Sequence, residues 1–177
     1  MSDSREAAKQ VICEIIAASH GQLEGKLRLY KAFYYAHLYF WRNNRGVLTD
    51  YPIVRMPLGP GLDDGDGLLE ELQHQGRISI GEQYNGPYKE LVYKTLKPVR
   101  LDPASPRIKA IEEAAKWIEG KSATELSQET HVFSRTWREA GDGQALNIYL
   151  DILDDSEYNR VQQGLDKAED ALHGIFD

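Results

Sequence analysis

Cysteine is almost absent: Cys13 is the single one, so no disulfide can close within the chain. Long apolar runs are missing as well, and nothing approaches the roughly 18 residues that a membrane-crossing helix requires. The opening MSDSREAAKQ is polar and carries Asp3 and Glu6, unlike a secretory leader. These absences lead us to expect a protein of the reducing cytoplasm with no membrane association. Basic charge is scarce, with 21 Lys and Arg against 28 Asp and Glu and a formal net charge of −7. Nucleic-acid binders neutralise phosphates with Lys and Arg, so the average field opposes such a ligand and favours a basic protein partner.

Recognisable catalytic motifs are absent too. No G-x-S-x-G turn marks a nucleophile. The histidines at 20, 37, 74, 131 and 173 include no pair four residues apart, and one cysteine cannot build a local zinc site. Cys13 falls in an apolar helical pattern with Val11, Ile12, Ile15 and Ile16, the setting of a buried structural thiol. We expect no catalytic residue, no metal and no cofactor.

One stretch invites a ligand reading: MPLGPGLDDGDGLLEEL, residues 56–72, with two prolines, four glycines and three aspartates. A phosphate-gripping loop would follow its glycines with Lys-Ser or Lys-Thr, whereas Leu68-Leu69-Glu70-Glu71 follow Gly67. Calcium loops space their acids D-x-D-x-D-G, and Asp63, Asp64 and Asp66 do not, with Leu68 where an oxygen ligand is needed. What remains is a turn in which Asp64 or Asp66 caps a helix that buries Leu68, Leu69 and Leu72.

Hydrophobic period organises the rest. Helices are expected from Asp3 to Gly21, from about Glu24 to Asn43 and over roughly Asp66–Gln75. The stretch from Gly46 to Pro60 reads as irregular, with a brief strand at Ile53–Arg55. RISIGEQ and ELVYKTL alternate apolar and polar residues around Asn85-Gly86 and predict a hairpin. Ser105-Pro106 opens a helix with Ile108, Ile111, Ala115 and Ile118 on one face, and Ser122 with Glu125 forms a capping box. Short helices follow at Ser134–Ala140 and Ala145–Leu153, and Ser156 is expected to cap a last helix carrying Val161, Leu165, Ala168 and Leu172. The expectation is one compact domain over residues 1–177, mainly α with about six to eight helices, several short, and one small antiparallel β-hairpin near residues 77–97.

Aromatics concentrate in LYKAFYYAHLYFW, residues 29–41, which holds seven of them from a total of three Trp, ten Tyr and four Phe. At helical spacing Leu27, Tyr30, Tyr34, Leu38 and Trp41 make one core stripe, widened by Phe33 and Phe40. Tyr35 and Tyr39 fall on the far side near Lys31 and Arg42. Two readings stand there: a central helix buried all round, or a partner-binding face, since Tyr and Arg anchor interfaces. His131 likewise reads either as a packed histidine beside Trp137 or as a functional one.

Three blocks carry a resemblance. KLRLYKAFYYAHLYFW resembles the "KLxKLLYFA" segment of the Panacea domain family, the SocA-like antitoxins. PLGPGLDDGDGLLEELQHQGRI is similar to that family's "YGPV" turn with its following helix and strand. SATELSQETHVFSRTWREA is similar to its "SAxELSxxTHxxxxWxxA" block. The match spans residues 10–153 in family order. Motif positions are Lys26, Leu27, Tyr30, Lys31, Tyr34 and Ala36, then Gly59 and Pro60, then Leu126, Ser127, Thr130, His131 and Trp137. Leu58 stands where the family has an aromatic, and Gly61 where it has valine.

The resemblance implies a bacterial or phage antitoxin of a toxin–antitoxin system, found in prophages and other mobile elements. It would act by binding a cognate protein toxin or presenting it for degradation, and not by catalysis. Tyr35, Tyr39, Arg42, Asp63 and Asp64 are the candidate partner-binding residues, and homo-oligomerisation stays open. The alternative is a DNA-binding or transcription-related module using the helix at 66–75 and the β-hairpin, against which Glu70 and Glu71 on that helix weigh. A pocket lined by His131 and two acids would instead argue for an enzyme.

Overall fold

The computed structural model of the chain describes residues 2–44 and 46–176. Its centre is helix α2 (Lys26–Asn44), which buries residues on nearly every side. Helix α1 (Ser2–Ala18) lays Val11, Ile12, Ile15 and Ile16 against it without any exposure, as the three-to-four spacing requires. Helix α4 (Pro106–Ile118) packs along α2 through the expected face of Ile108, Ile111, Ala115 and Ile118. Of the predicted aromatic stripe, Tyr30, Tyr34 and Leu38 are buried. Leu27 is half-buried and Trp41 is 36% exposed, because α2 outruns the core and leaves Trp41 tilted against Tyr149. Cys13 is buried, in keeping with a structural thiol.

The expected hairpin is formed by β4 (Ile78–Asn85) and β5 (Tyr88–Thr95), antiparallel, with Ile80 opposite Tyr93. A third strand, β1 (Gln22–Glu24), joins the outer edge of β5, with Leu23 opposite Tyr93. Three residues have no period to read, and here the waiting edge of β5 recruits them.

A second hairpin replaces the irregular stretch expected before Pro60. Strand β2 (Ile53–Met56) pairs with β3 (Gly59–Leu62), Ile53 opposite Leu62 and Met56 opposite Gly59. Pro57 presets a turn angle and Gly59 takes φ 104°, a region that excludes most side chains. Pro60 is tolerated because the sheet has only two named strands and nothing needs its missing N–H. The other edge of β2 is occupied by the segment after Gly143: Arg55 N–H donates to Gln144 O at 2.9 Å and Leu146 N–H to Ile53 O at 2.8 Å. That pairing is why the helix expected over Ala145–Leu153 shortens to a 3-10 turn at Ile148–Ile152.

Helix α3 (Gly65–His74) lies close to its expected place, and α5 (Ala123–Phe133) and α6 (Arg135–Glu139) follow α4. The Ser122–Glu125 capping box forms in both directions. Two caps differ from expectation. Asp64 precedes α3 in the left-handed region, φ 44°, and its carboxylate makes no capping bond because Arg5 holds it at 2.9 Å. Asp154, not Ser156, caps α7 (Asp155–Phe176), accepting from Ser156 N–H at 2.8 Å and Glu157 N–H at 2.9 Å. The side chains of Asp3, Ala168 and Leu172 lie outside the described residues. The chain is thus mostly helical with small antiparallel sheets, in one compact domain.

A buried carboxylate locks the C-terminal half onto α2. Asp151, 9% exposed, accepts from Tyr34 Oη at 2.7 Å, Ser134 Oγ at 2.7 Å, and Thr136 N–H at 2.8 Å and Oγ1 at 3.1 Å. Burial and this negative neighbour push the Tyr34 phenol far up. Asp151→Ala would leave buried donors from three residues without an acceptor. It should lower unfolding free energy by on the order of 3 kcal/mol, against about 1 kcal/mol for Tyr34→Phe, as measured by urea denaturation.

Candidate functional site

The residues of the three motif blocks meet around the β2–β3 hairpin. Three alternate carbonyls of that hairpin point at three different side chains. Trp137 Nε1 on α6 donates to Met56 O at 2.7 Å. Ser127 Oγ on α5 donates to Leu58 O at 3.0 Å. Lys31 Nζ on α2 donates to Pro60 O at 2.9 Å. The three carbonyls belong to the end of β2, the turn and the start of β3, so the whole reversal of the chain is gripped from within.

Lys31 is fully buried, with no carboxylate in hydrogen-bond or ion-pair reach among the described residues. Burial alone lowers its ammonium to about 7. Gly59 lies directly beneath Lys31 Nζ and Thr130 Oγ1, and a Cβ there would collide with both. Thr130 itself is buried and turns its hydroxyl back to its own helix, to Leu126 O at 3.0 Å and Ser127 O at 2.9 Å. Leu126 is fully buried beside it.

His131 stacks on Trp137 with ring centroids 3.9 Å apart and planes 8° from parallel. The Arg55 guanidinium lies over the same indole, 4.8 Å from its centroid, and Arg55 Nε donates to Trp137 O at 3.2 Å. Desolvation first, then the Lys31 and Arg55 charges, lower the His131 imidazolium. His131 is therefore a packed aromatic facing cations, and its Nε2 sits 3.4 Å from Ser127 Oγ. The Ser127 proton is directed at Leu58 O, so the pair is not arranged as nucleophile and base.

The other motif residues shape the surroundings. Tyr30 packs its hydroxyl over Gly65, where a Cβ would collide, and Lys26 pairs with Asp66 at 2.9 Å on the surface. Ala36 is buried and Tyr34 reaches Asp151. Sequence reasoning missed Asp151, Met56 and Arg55, which carry no motif of their own and are defined by partners far along the chain.

The candidate partner-binding residues divide between two places. Tyr35 is half-buried, stacked on Trp117 of α4 at 4.6 Å and 15°; Tyr39 is half-buried and Arg42 exposed. Lys31, expected beside them, is instead turned into the core, because the hairpin carbonyl offers it an acceptor there. Asp63 and Asp64 are exposed at the start of α3. Two aspartates of this stretch are paired within the fold: Arg5 holds Asp64, and Lys26 holds Asp66. Arg5 also pairs with Glu71 at 2.6 Å, and Lys9 with Glu71 at 3.1 Å, which staples α1 to α3.

What the hairpin leaves outside is its turn. Pro57 and Leu58 are exposed, Leu58 at 56%, while their flanking carbonyls are held from within. Among the described residues no three His, Cys, Asp or Glu side chains converge as a metal site would need. No described helix is long and apolar enough to cross a membrane. Comparison with protein-family models, with curated proteins and with solved structures returns no match.

Two substitutions test this arrangement. Between about pH 7 and the ordinary lysine range near 10.5, unfolded Lys31 holds a proton that the folded state gives up, so stability should rise with pH across that window. Urea titrations at pH 7 and 10 should show wild type gaining on the order of 3 kcal/mol relative to Lys31→Met. Equal pH slopes would remove the charge argument. Gly59→Ala, both strained in φ and colliding with Lys31, should destabilise by about 2 kcal/mol or more in the same assay.

Proposed function

We propose that this chain is an antitoxin-like binding protein, a member of the Panacea domain type, that neutralises a cognate bacterial or phage protein toxin. Neutralisation is by direct contact or by presentation of the toxin for degradation. One observation carries this reading: the three sequence blocks that resemble the family converge on one hairpin. Trp137, Ser127 and Lys31 each take one of its alternate carbonyls. Blocks separated by up to about 100 positions would have no reason to meet in this way if their resemblance were an accident of composition.

The surface offered to a partner consists of the hairpin turn at Pro57-Leu58 and the outer side of α2 with Tyr35, Tyr39 and Arg42. Half-buried tyrosines beside an exposed arginine on a rigid helix are effective anchors because little conformational freedom is lost when they are covered. The DNA-binding alternative gains little from α3, whose exposed positions Asp66, Glu70, Gln73 and His74 include two acids and no Lys or Arg.

The test is co-expression with the product of the adjacent gene. Growth arrest by that product alone, rescue by this chain and co-purification of the two are expected. Tyr39→Ala with Arg42→Glu should weaken co-purification by about tenfold or more while leaving the melting temperature unchanged. A harmless neighbour, or a toxic one that this chain neither binds nor counters, would overturn the reading.

A further inference from the structure

The three-stranded sheet runs β1-β5-β4, so β4 has a neighbour on one side only. Hydrogen bonds at the ends of the sheet fix which of its backbone groups face outward. Leu96 N–H donates to Arg77 O at 2.9 Å, which makes Arg77 and Leu96 a bonded pair. Antiparallel ladders alternate bonded and non-bonded pairs, so Ser79, Gly81 and Gln83 are the β4 residues that bond β5. The far side of β5 agrees: Thr95 N–H donates to Gly21 O, and Leu91 O accepts from Gly25 N–H, both toward β1. The N–H and C=O groups of Ile78, Ile80, Glu82 and Tyr84 therefore point away from the sheet. Among the described residues no other backbone group bonds them.

The remaining sheet edges are short, interrupted or covered. Strand β1 is three residues long, β3 carries Pro60, and the outer side of β2 is paired with the segment after Gly143. Native proteins guard an open edge with lysine, proline, a bulge or a cover, because an unguarded one pairs with another chain. The outward residues of β4 include no lysine and no proline, and their one charge, Glu82, is already paired with Lys89. Nor is there a bulge, since β4 and β5 pair without interruption from Ile78 to Asn85.

We propose that β4 is a dimerisation edge, on which β4 of a second copy of this chain lies antiparallel about a two-fold axis at Gly81. In that register Ile80 meets Glu82 of the second copy and Ile78 meets Tyr84, so all four outward residues of both copies are bonded. Centring the axis on Ile80 leaves Tyr84 unpaired. Centring it on Glu82 leaves Ile78 unpaired and sets one Glu82 against the other. Gly81 falls in the non-bonded pair, where opposed side chains come closest, and it has none. On the same face Ser79 and Gln83 are opposed, a polar pair. On the other face the Tyr84 ring, 71% exposed in the single chain, comes within cross-strand reach of Ile78 and Ile80. An edge meant for an unrelated peptide has no reason to be complementary to itself about its own midpoint. The two copies would share one sheet, β1-β5-β4-β4-β5-β1. This edge is independent of the antitoxin reading, because it takes no part in the clasp around the β2–β3 hairpin.

From Ile78 to Tyr84 the edge is about 23 Å long and buries less than a standard interface, so a Kd on the order of 100 µM is expected. Sedimentation equilibrium of the full chain up to about 500 µM should show a reversible monomer–dimer equilibrium. Gly81 has ordinary backbone angles and room for a side chain, the nearest atom to an added Cβ being Val92 O at 4.0 Å. Gly81→Lys should therefore keep the wild-type melting temperature, while two opposed like charges weaken the dimer about tenfold or more. Gly81→Cys should form a disulfide-linked dimer under mild oxidation, since opposed α-carbons of a non-bonded pair stand about 4.5 Å apart. Gln83→Cys should not, because its counterpart lies about 13 Å away along the edge. The native Cys13 is buried and does not compete. If the lysine disturbs the fold, the two cysteine variants decide. The inference is overturned if the chain stays monomeric at about 500 µM, or if a folded Gly81→Lys dimerises as wild type does. It is equally overturned if Gln83→Cys crosslinks as readily as Gly81→Cys.

Discussion

A lysine amine buried without a carboxylate is the constraint around which this structure is arranged. Lys31 sits on the central helix with no exposure, and its one hydrogen-bond acceptor among the described residues is the carbonyl of Pro60. Burying the charged form costs several kcal/mol unless a partner compensates, so the amine can exist there only if the β2–β3 hairpin is seated against α2. Seating the hairpin requires that residue 59 have no side chain, since Lys31 and Thr130 both occupy the space a Cβ would take. With Gly59 in place, the neighbouring carbonyls of Leu58 and Met56 are presented to α5 and α6, where Ser127 and Trp137 meet them. One buried amine thus constrains elements from four parts of the chain.

Three residues further along α2 the opposite problem is solved in a different way. The Tyr34 hydroxyl meets Asp151, a buried carboxylate that no Lys or Arg neutralises among the described residues. Its charge is dispersed over hydrogen bonds from Tyr34, Ser134 and Thr136 instead. A carboxylate satisfied by several short donors is stable when buried, and removing it leaves every donor orphaned. Lys31 and Tyr34 lie one helical turn apart, so α2 holds the hairpin with one side chain and the α5–α6 corner with the next. Apolar packing supplies most of the driving force, but it would tolerate small slides of α2 along its axis. These two directional contacts do not.

The sequence disclosed what repeats and concealed what does not. The faces of α1, α2 and α4 were readable because each spans several turns, so the three-to-four period shows above local noise. The β4–β5 hairpin was readable from strict alternation on both sides of Asn85-Gly86. By contrast β1 is three residues long and β3 is Gly-Pro-Gly-Leu, a composition that by itself reads as turn. Its strand character comes from pairing with β2 and from Lys31, neither of which is a local property. The same reason explains the caps: Ser122 with Glu125 is a closed local circuit and was legible, while Asp64 is diverted by Arg5, 59 residues away. Asp151 carried no signal, because its meaning lies entirely in Tyr34, 117 positions earlier. Of the candidate site, the motif positions were visible as a resemblance, but the hydrogen bonds that join them were not.

For an acidic protein, the useful question is which of its acids are already engaged. The excess negative charge is not spread as a uniform attraction. Glu6, Asp64, Asp66 and Glu71 are held by Arg5, Lys9, Lys26 and Arg77, and this lattice joins α1 and α2 to α3. Those acids serve the fold, and a basic partner would have to displace internal cations to reach them. Other acids are paired elsewhere, as Glu14 is with Arg107 and Glu129 with Lys121, and those with no cation beside them keep a field weakened only by salt and distance. Among them, Glu112 within α4 and Glu119 at its C-terminal end have no ion-pair partner among the described residues. The hairpin turn at Leu58 and the outside of α2 offer apolar and aromatic groups, with Arg42 beside them.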